Sequence, residues 1–235
     1  MIIENVEIEN LIVEFNRVIS NSENIAIFTR DIDLQKEEEK TLNAFIQKVK
    51  DIRKTNIKSY SEAELNLTLC LIMSVEALLN EVSMLINLKE GNMDAAWNHL
   101  IYAQNKTSIV ACNHPLNNEN NLKGYLARLD AYEKVIFPKM MFLSTGGILR
   151  ETKCSICKDD YEECDHMKGK MYNGELCVRE IHKIELEEIS IVDTPGNKLC
   201  RITTIQRSGK EVDVLTLKES NTDNTAEKFA QKNMK

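Results

Sequence analysis

Three cysteines and one histidine fall within the short stretch CSICKDDYEECDH, residues 154–166, and a fourth cysteine follows at 177. The full spacing is C-x2-C-x6-C-x-H-x10-C. A C-x2-C turn presents two thiolates from one tight knuckle, which suits two corners of a zinc tetrahedron. The segment holds many acids and little apolar material, so packed thiols explain it poorly. The candidate ligands for one Zn²⁺ ion are Cys154, Cys157, Cys164, His166 and Cys177.

These are five candidates for four positions. Cys177 opens a region of β pattern, so its use as a ligand would tie the knuckle to the first strand. One of Cys164 or His166 would then complete the site, and the other would lie just outside the coordination sphere. The sequence leaves this choice open.

The metal could be structural or catalytic. A structural site has four protein ligands and stabilises a loop-rich module that buries little apolar surface. A catalytic site keeps a position for water and needs a general base, and neither H-E-x-x-H nor the deaminase pattern is present. The pattern therefore favours structural Zn²⁺, with no catalytic residue and no other cofactor. We interpret the acids in range as solvated loop residues: Glu162, Glu163, Asp165 and Glu180.

Helical patterns precede the cluster. Apolar residues recur at spacings of three and four, and Ser61 with Glu64 forms a capping box at the start of the most apolar helix, which Gly91 ends. Residues 24–29 are either a short extended piece or the end of a kinked helix. Five helices are predicted, at about 2–19, 34–54, 61–89, 94–112 and 119–136.

The pattern changes after residue 145. Ser144-Thr-Gly-Gly147 predicts a flexible break, and Gly209 predicts the turn of a hairpin. The fold class is α+β, an N-terminal antiparallel helical bundle followed by a small zinc-stapled β module. The predicted divisions are a bundle at 1–145, a β module at 146–218 and a mobile polar tail at 219–235. Short strands are predicted at 176–181, 184–192, 199–206 and 211–217.

Composition limits the partners. The 235 residues carry a net charge of −7 with no compact basic stripe, which argues against nucleic acid as a partner. No signal peptide is recognised, and polar residues interrupt the longest apolar stretch, so no membrane span is expected. The seven cysteines fit a metal site in a reducing cytoplasm. Cys70, Cys112 and Cys200 are predicted to be small buried hydrophobic residues.

Residues 154–177 resemble a segment of poorly characterised bacterial and phage-related proteins. The shared positions here are Cys154, Cys157, Cys164, His166, Gly169, Tyr172, Gly174 and Cys177. Residues 178–202 are similar to the closing strands of phage prohead maturation proteases, where an E-x-S-I-V-x-x-P-A-N stretch recurs and this chain has Gly196 in place of the alanine. That family uses a Ser–His arrangement on a preceding β-rich half, which the helical pattern before residue 145 does not offer. The resemblance therefore implies a small β module, and no catalysis at Ser190.

The sequence is compatible with two functions. The favoured one is a non-enzymatic scaffold or adaptor subunit of a bacterial multi-protein complex, which binds a protein partner or forms homo-oligomers through helical stripes. The alternative is a metal-dependent hydrolase or nuclease accessory of a mobile-element or phage-defence system.

Overall fold

The structure is a computed structural model that describes residues 5–114 and 119–220. Five helices are followed by small antiparallel sheets, which confirms the α+β class. Short links at residues 29–31, 57–61 and 91–92 reverse the chain between the first four helices. The helices are α1 (Val6–Phe28), α2 (Ile32–Asn56), α3 (Glu62–Glu90), α4 (Met93–Asn113) and α5 (Glu119–Ile136).

The helix ends follow the capping signals. Asn5 and Asp31 accept hydrogen bonds from the first free amides of α1 and α2. The capping box of Ser61 and Glu64 is confirmed, and Gly91 ends α3 with a left-handed φ of 80°. Of the alternatives for residues 24–29, the structure has helix up to Phe28.

The central helix of the bundle is α3. It contacts α1, α2 and α4, and it supplies more buried residues than the other helices described. By length and composition α3 is apolar enough to cross a membrane, but 67% of its most apolar window is buried inside the fold. Such burial is typical of the core helix of a soluble protein. The apolar stripes of α1 and α2, with Leu11 and Phe45 among their residues, face the same core.

In the described part of the chain, seven strands follow the helices in three antiparallel sheets. The longest two form a ribbon, β1 with β4, and the others form a small hairpin, β2 with β3, and a three-stranded sheet, β5–β6–β7. The strands are β1 (Phe142–Cys154), β2 (Met171–Tyr172), β3 (Glu175–Leu176), β4 (Arg179–Val192), β5 (Thr204–Arg207), β6 (Lys210–Asp213) and β7 (Glu219–Ser220).

The predicted flexible break at Ser144–Gly147 is wrong, because these residues lie inside β1. Gly146 and Gly147 flank a register shift in the pairing with β4. A Cβ at Gly147 would collide with the carbonyl oxygen of Glu185. The glycines therefore allow two backbones to approach closely, which is the role of many glycines inside strands.

The last sheet agrees with the hairpin prediction. Ser208 and Gly209 both have positive φ and join β5 to β6. The tail predicted from residue 219 begins differently, since Glu219 and Ser220 pair with β6. Residues 221–235 lie outside the described part of the chain.

The cysteine burial prediction is correct for one of three residues. Cys70 is fully buried on α3, whereas Cys112 and Cys200 are exposed. Cys112 lies in the last turn of α4, on the side away from the bundle, and Cys200 lies in the link between β4 and β5. Apolar neighbours in sequence did not predict which side of the chain faces solvent.

Candidate metal centre

The knuckle begins where β1 ends, at Cys154. The Cys154 carbonyl accepts from the Lys158 amide at 2.9 Å, and the Cys154 amide donates to the Asp159 carbonyl at 2.9 Å. Lys158 closes this turn with φ of 65°. Inside the turn the Ile156 amide points at the Cys154 sulfur, 3.4 Å away. Such N–H···S bonds stabilise a thiolate, the form that binds metal.

The structure brings four of the predicted ligands together. The ligand atoms of Cys154, Cys157, Cys164 and His166 all lie within 4.8 Å of one another. The fifth candidate, Cys177, has its Sγ 3.8 Å from the Sγ of Cys154. With Zn–S bonds of about 2.3 Å, two thiolates on one tetrahedral zinc ion are about 3.8 Å apart. The group therefore has the donor types and the spacing to hold a metal ion.

A short 3-10 turn and two tyrosines position the second half of the cluster. The turn, Tyr161–Glu163, starts at the Asp160 cap and leads directly into Cys164. The Tyr172 hydroxyl accepts from the Met167 amide at 3.0 Å, which holds the loop after His166. The His166 ring meets the Tyr172 ring edge to face, with centroids 4.6 Å apart.

His166 has an unsatisfied atom. Its Nδ1 is buried and has no hydrogen-bond partner among the described residues. Buried polar atoms almost always have a partner, so an orphaned imidazole nitrogen beside three thiols needs an explanation. A metal ion would supply that partner, which is the second observation that fits the cluster to a metal.

The thiols of the cluster influence one another's ionisation. Burial opposes ionisation of Cys154, but hydrogen bonds from the Cys157 and Ile156 amides and from the Cys164 and Cys157 thiols outweigh it and lower its pKa to about 6. Burial, and then the neighbouring Cys154, raise the pKa of Cys177 to about 11. The Cys154 thiolate thus forms readily, and its negative charge disfavours ionisation of the Cys177 thiol. A bound cation would remove this repulsion.

Two asparagines on the helical bundle hold the loop that follows the Cys/His cluster. Asn113, at the end of α4, donates to the Gly169 carbonyl at 2.7 Å and accepts from the Met171 amide at 3.0 Å. Asn66 on α3 accepts from the Gly174 amide at 2.7 Å and donates to the Met171 carbonyl at 3.2 Å. Each asparagine uses both ends of its amide on backbone groups. This fixes the β2–β3 hairpin in position and orientation.

Packing and one arginine complete this attachment. Arg53 of α2 donates to the Gly174 carbonyl at 2.6 Å. Met171 is buried against Cys70 and Val110 of α3 and α4. Sequence reasoning missed Arg53, Asn66 and Asn113, because a polar residue within a helix usually indicates a solvated face. The only local signal is that asparagine is a poor helix former.

The acids near the cluster are exposed or paired. Glu162 forms an ion pair with Arg179, and Glu180 contacts Lys158 at 3.0 Å. The side chains of Glu163 and Asp165 are exposed. His182 is also on the surface, 3.7 Å from Glu180. These positions agree with the interpretation of the acids as solvated loop residues.

No protein-family model, curated protein or solved structure matches the chain. The resemblances to bacterial and phage-related proteins and to the prohead protease strands therefore stay predictions.

Proposed function

We propose that this chain is a non-enzymatic scaffold or adaptor subunit of a cytoplasmic multi-protein complex in bacteria, with a structural Zn²⁺ ion in its C-terminal half. One observation carries the proposal. The four close ligand atoms of Cys154, Cys157, Cys164 and His166 belong to the loop that is hydrogen-bonded to the helical bundle. A metal there would stabilise the attachment of one part of the fold to another.

Zinc suits this donor set best. Thiolates with an imidazole, in a tetrahedral arrangement, are typical of structural zinc sites. Zinc would neutralise the thiolates and hold the end of β1 and the loop after it at one point. Reduced thiols at such a site require a reducing compartment, which supports the cytoplasm.

The alternative, a metal-dependent hydrolase or nuclease accessory, needs a general base at the metal. The acids in range are exposed or paired with basic side chains, so they give this alternative little support.

The proposed partner surface lies on the helical stripes. The apolar side chains that remain exposed on α1 include Val6 and Val13.

Metal analysis of the purified full chain tests the proposal. We expect about one zinc per chain in the wild type and loss of zinc in Cys154→Ser, because this thiol belongs to the group of close ligand atoms and joins that group to the end of β1. Cys112→Ser is the matched control, since Cys112 is exposed and outside the cluster. Equal zinc content in Cys154→Ser and the wild type would contradict the proposal.

A further inference from the structure

The β1–β4 ribbon stands clear of the rest of the molecule along its middle. Residues 147–151 of β1 and 181–189 of β4 are all exposed, although side chains in a strand alternate between two faces. Both faces of the middle of the ribbon are therefore open to solvent. A two-stranded ribbon without further packing is marginally stable in water.

Many side chains of this exposed ribbon are aliphatic. Cross-strand pairing places Leu143 opposite Ile191, Thr145 opposite Ile189, Gly147 opposite Leu186 and Leu149 opposite Ile184. Partners in such pairs lie on the same face. The exposed fractions are 63% for Leu186, 66% for Ile189 and 63% for Ile191. An apolar face of this kind marks an interaction surface.

The two edges of the ribbon differ. The outer edge of β1 is covered at both ends: Leu143 donates to the Cys200 carbonyl at 2.7 Å, and Lys153 bridges to Asp160. Within the described residues, β4 pairs with β1 and with no other strand. A long apolar edge strand with free backbone groups is a template for pairing with another strand. The edge left open along its whole length is therefore β4.

We propose that the open edge of β4 pairs antiparallel with β4 of a second copy of this chain, about a two-fold axis at Glu185. The result is a four-stranded sheet with β1 at each outer edge. This inference rests on the ribbon and does not depend on the metal or on an adaptor role. An isologous interface of this kind closes as a dimer.

The sequence around Glu185 is complementary to itself. In the proposed register Lys183 lies opposite the second copy's Glu187, and His182 opposite the second copy's Glu188. The same register places Ile184 opposite the second copy's Leu186. Each contact occurs twice by symmetry. Opposite charges and aliphatic pairs are the cross-strand combinations that stabilise a sheet.

Most of the polar residues of these pairs have no ion-pair partner in the described chain, although His182 lies 3.7 Å from Glu180. Lys183 and Glu187 form no ion pair within the described chain, and Glu188, whose side chain lies over Gly146, accepts a hydrogen bond from the Ser190 hydroxyl at 3.3 Å. Glu185, which would meet its own copy at the axis, is already paired with Arg150 at 2.7 Å. Its charge is thus offset on each side of the axis.

Other registers and other partners fit less well. A slip of two residues puts Glu185 opposite the second copy's Glu187, and Lys183 opposite Ile189, which opposes like charges and mixes charged with apolar side chains. Acids outnumber basic residues on the ribbon, which disfavours insertion into a nucleic-acid groove. A strand of an unrelated protein would have no reason to share the symmetry about Glu185.

Charge reversal tests the register. Sedimentation or light scattering should give the wild type a mass of twice 26.9 kDa. Lys183→Glu and Glu187→Lys should each raise the dimer dissociation constant, roughly tenfold or more, because each creates like-charge contacts. The double variant restores both ion pairs and should restore the dimer. Lys134→Glu, the same change at an exposed lysine of α5, should leave it unchanged.

Three outcomes would overturn the inference. One is a wild-type chain that stays monomeric at every concentration. This outcome includes a chain whose β4 edge pairs with a strand of a different protein instead of a second copy. The second is a dimer that neither single reversal weakens. The third is a double variant that stays as weak as the single ones. Circular dichroism and zinc content should be unchanged in all four variants. Unchanged values show that the variants are folded, and they separate this test of the dimer from the test of the metal site.

Discussion

His166 and Cys177 compete for one position in the cluster. His166 belongs to the four residues whose ligand atoms lie within 4.8 Å of one another, and its Nδ1 is buried without a partner. Cys177 is fully buried with its sulfur 3.8 Å from that of Cys154. Zinc in a structural site takes four protein ligands, so one candidate is spare. The mutual distances favour His166, and which four residues bind stays a prediction.

We therefore expect different zinc contents from two variants at the cluster. Cys177→Ser should keep about one zinc per chain, because three thiols and the imidazole remain. His166→Ala should lose the metal during dialysis, because Cys177 lies outside the group of close ligand atoms and would have to move to replace the imidazole. Metal analysis of both proteins at equal concentration measures the difference. The reverse result would place Cys177 in the coordination sphere and contradict the choice of His166.

At the scale of elements, the β1–β4 ribbon depends on how closely its two strands approach. Three register irregularities interrupt the pairing, and one of them lies between Gly146 and Gly147. Gly147 faces the carbonyl oxygen of Glu185 with no room for a side chain. Bulges of this kind bend and twist a strand locally. The close approach of β1 and β4 therefore requires glycine at this point of β1.

Gly147→Ala should loosen the ribbon. The new Cβ would collide with backbone, so the strands must shift, at a cost of about 1–3 kcal/mol. Hydrogen exchange of the β1 and β4 amides measures the loosening of the ribbon. We expect the protection factors of these amides to fall roughly tenfold or more in Gly147→Ala. Gly196→Ala is the matched control, because a Cβ there meets nothing within 4 Å. Equal protection in both variants would contradict the steric role of Gly147.

Much of the fold follows from local signals in the sequence. The capping box at Ser61, the stop at Gly91 and the turn at Gly209 each predict an element end that the structure has. Four of the five metal candidates also meet, because they lie within the short stretch 154–166. What the sequence did not reveal depends on contacts between distant residues. Asn113 looks like an ordinary end of a helix until Gly169 and Met171 pack beside it.

Dependence on distant contacts also explains why the role of the β1 glycines was not predicted from the sequence. Gly146 and Gly147 are adjacent in sequence, and adjacent glycines usually indicate flexibility. Only the register with β4 reveals the approach of Glu185. Strand pairing across this distance has no local signature, so β1 itself was not predicted.

At the scale of the whole molecule, the C-terminal half is attached to the helical bundle at two separate places. One is the set of hydrogen bonds from Asn66 and Asn113 to the loop after the Cys/His cluster. The other is near Trp97 of α4, whose indole N–H donates to the Lys198 carbonyl at 3.0 Å and whose ring packs on Phe137 and Phe142. Along α4, Trp97 and Asn113 are about 24 Å apart at 1.5 Å per residue. A strand as long as β1 spans about 40 Å, which agrees with its exposed middle.

This two-point attachment predicts a partial response to metal removal. A zinc chelator should expose amides between residues 154 and 177 to hydrogen exchange, because the cluster and the hairpin on Asn66 and Asn113 lose the ion that holds their loop. The helices should keep their protection and their circular dichroism, since their cores are formed by residues of the bundle itself. The contact at Trp97 should also persist, as it lies at the other end of α4. Cys154→Ser without chelator should give the same exchange pattern. If the whole chain unfolded together on chelation, the metal would support the entire molecule and the independence of the two attachments would be wrong.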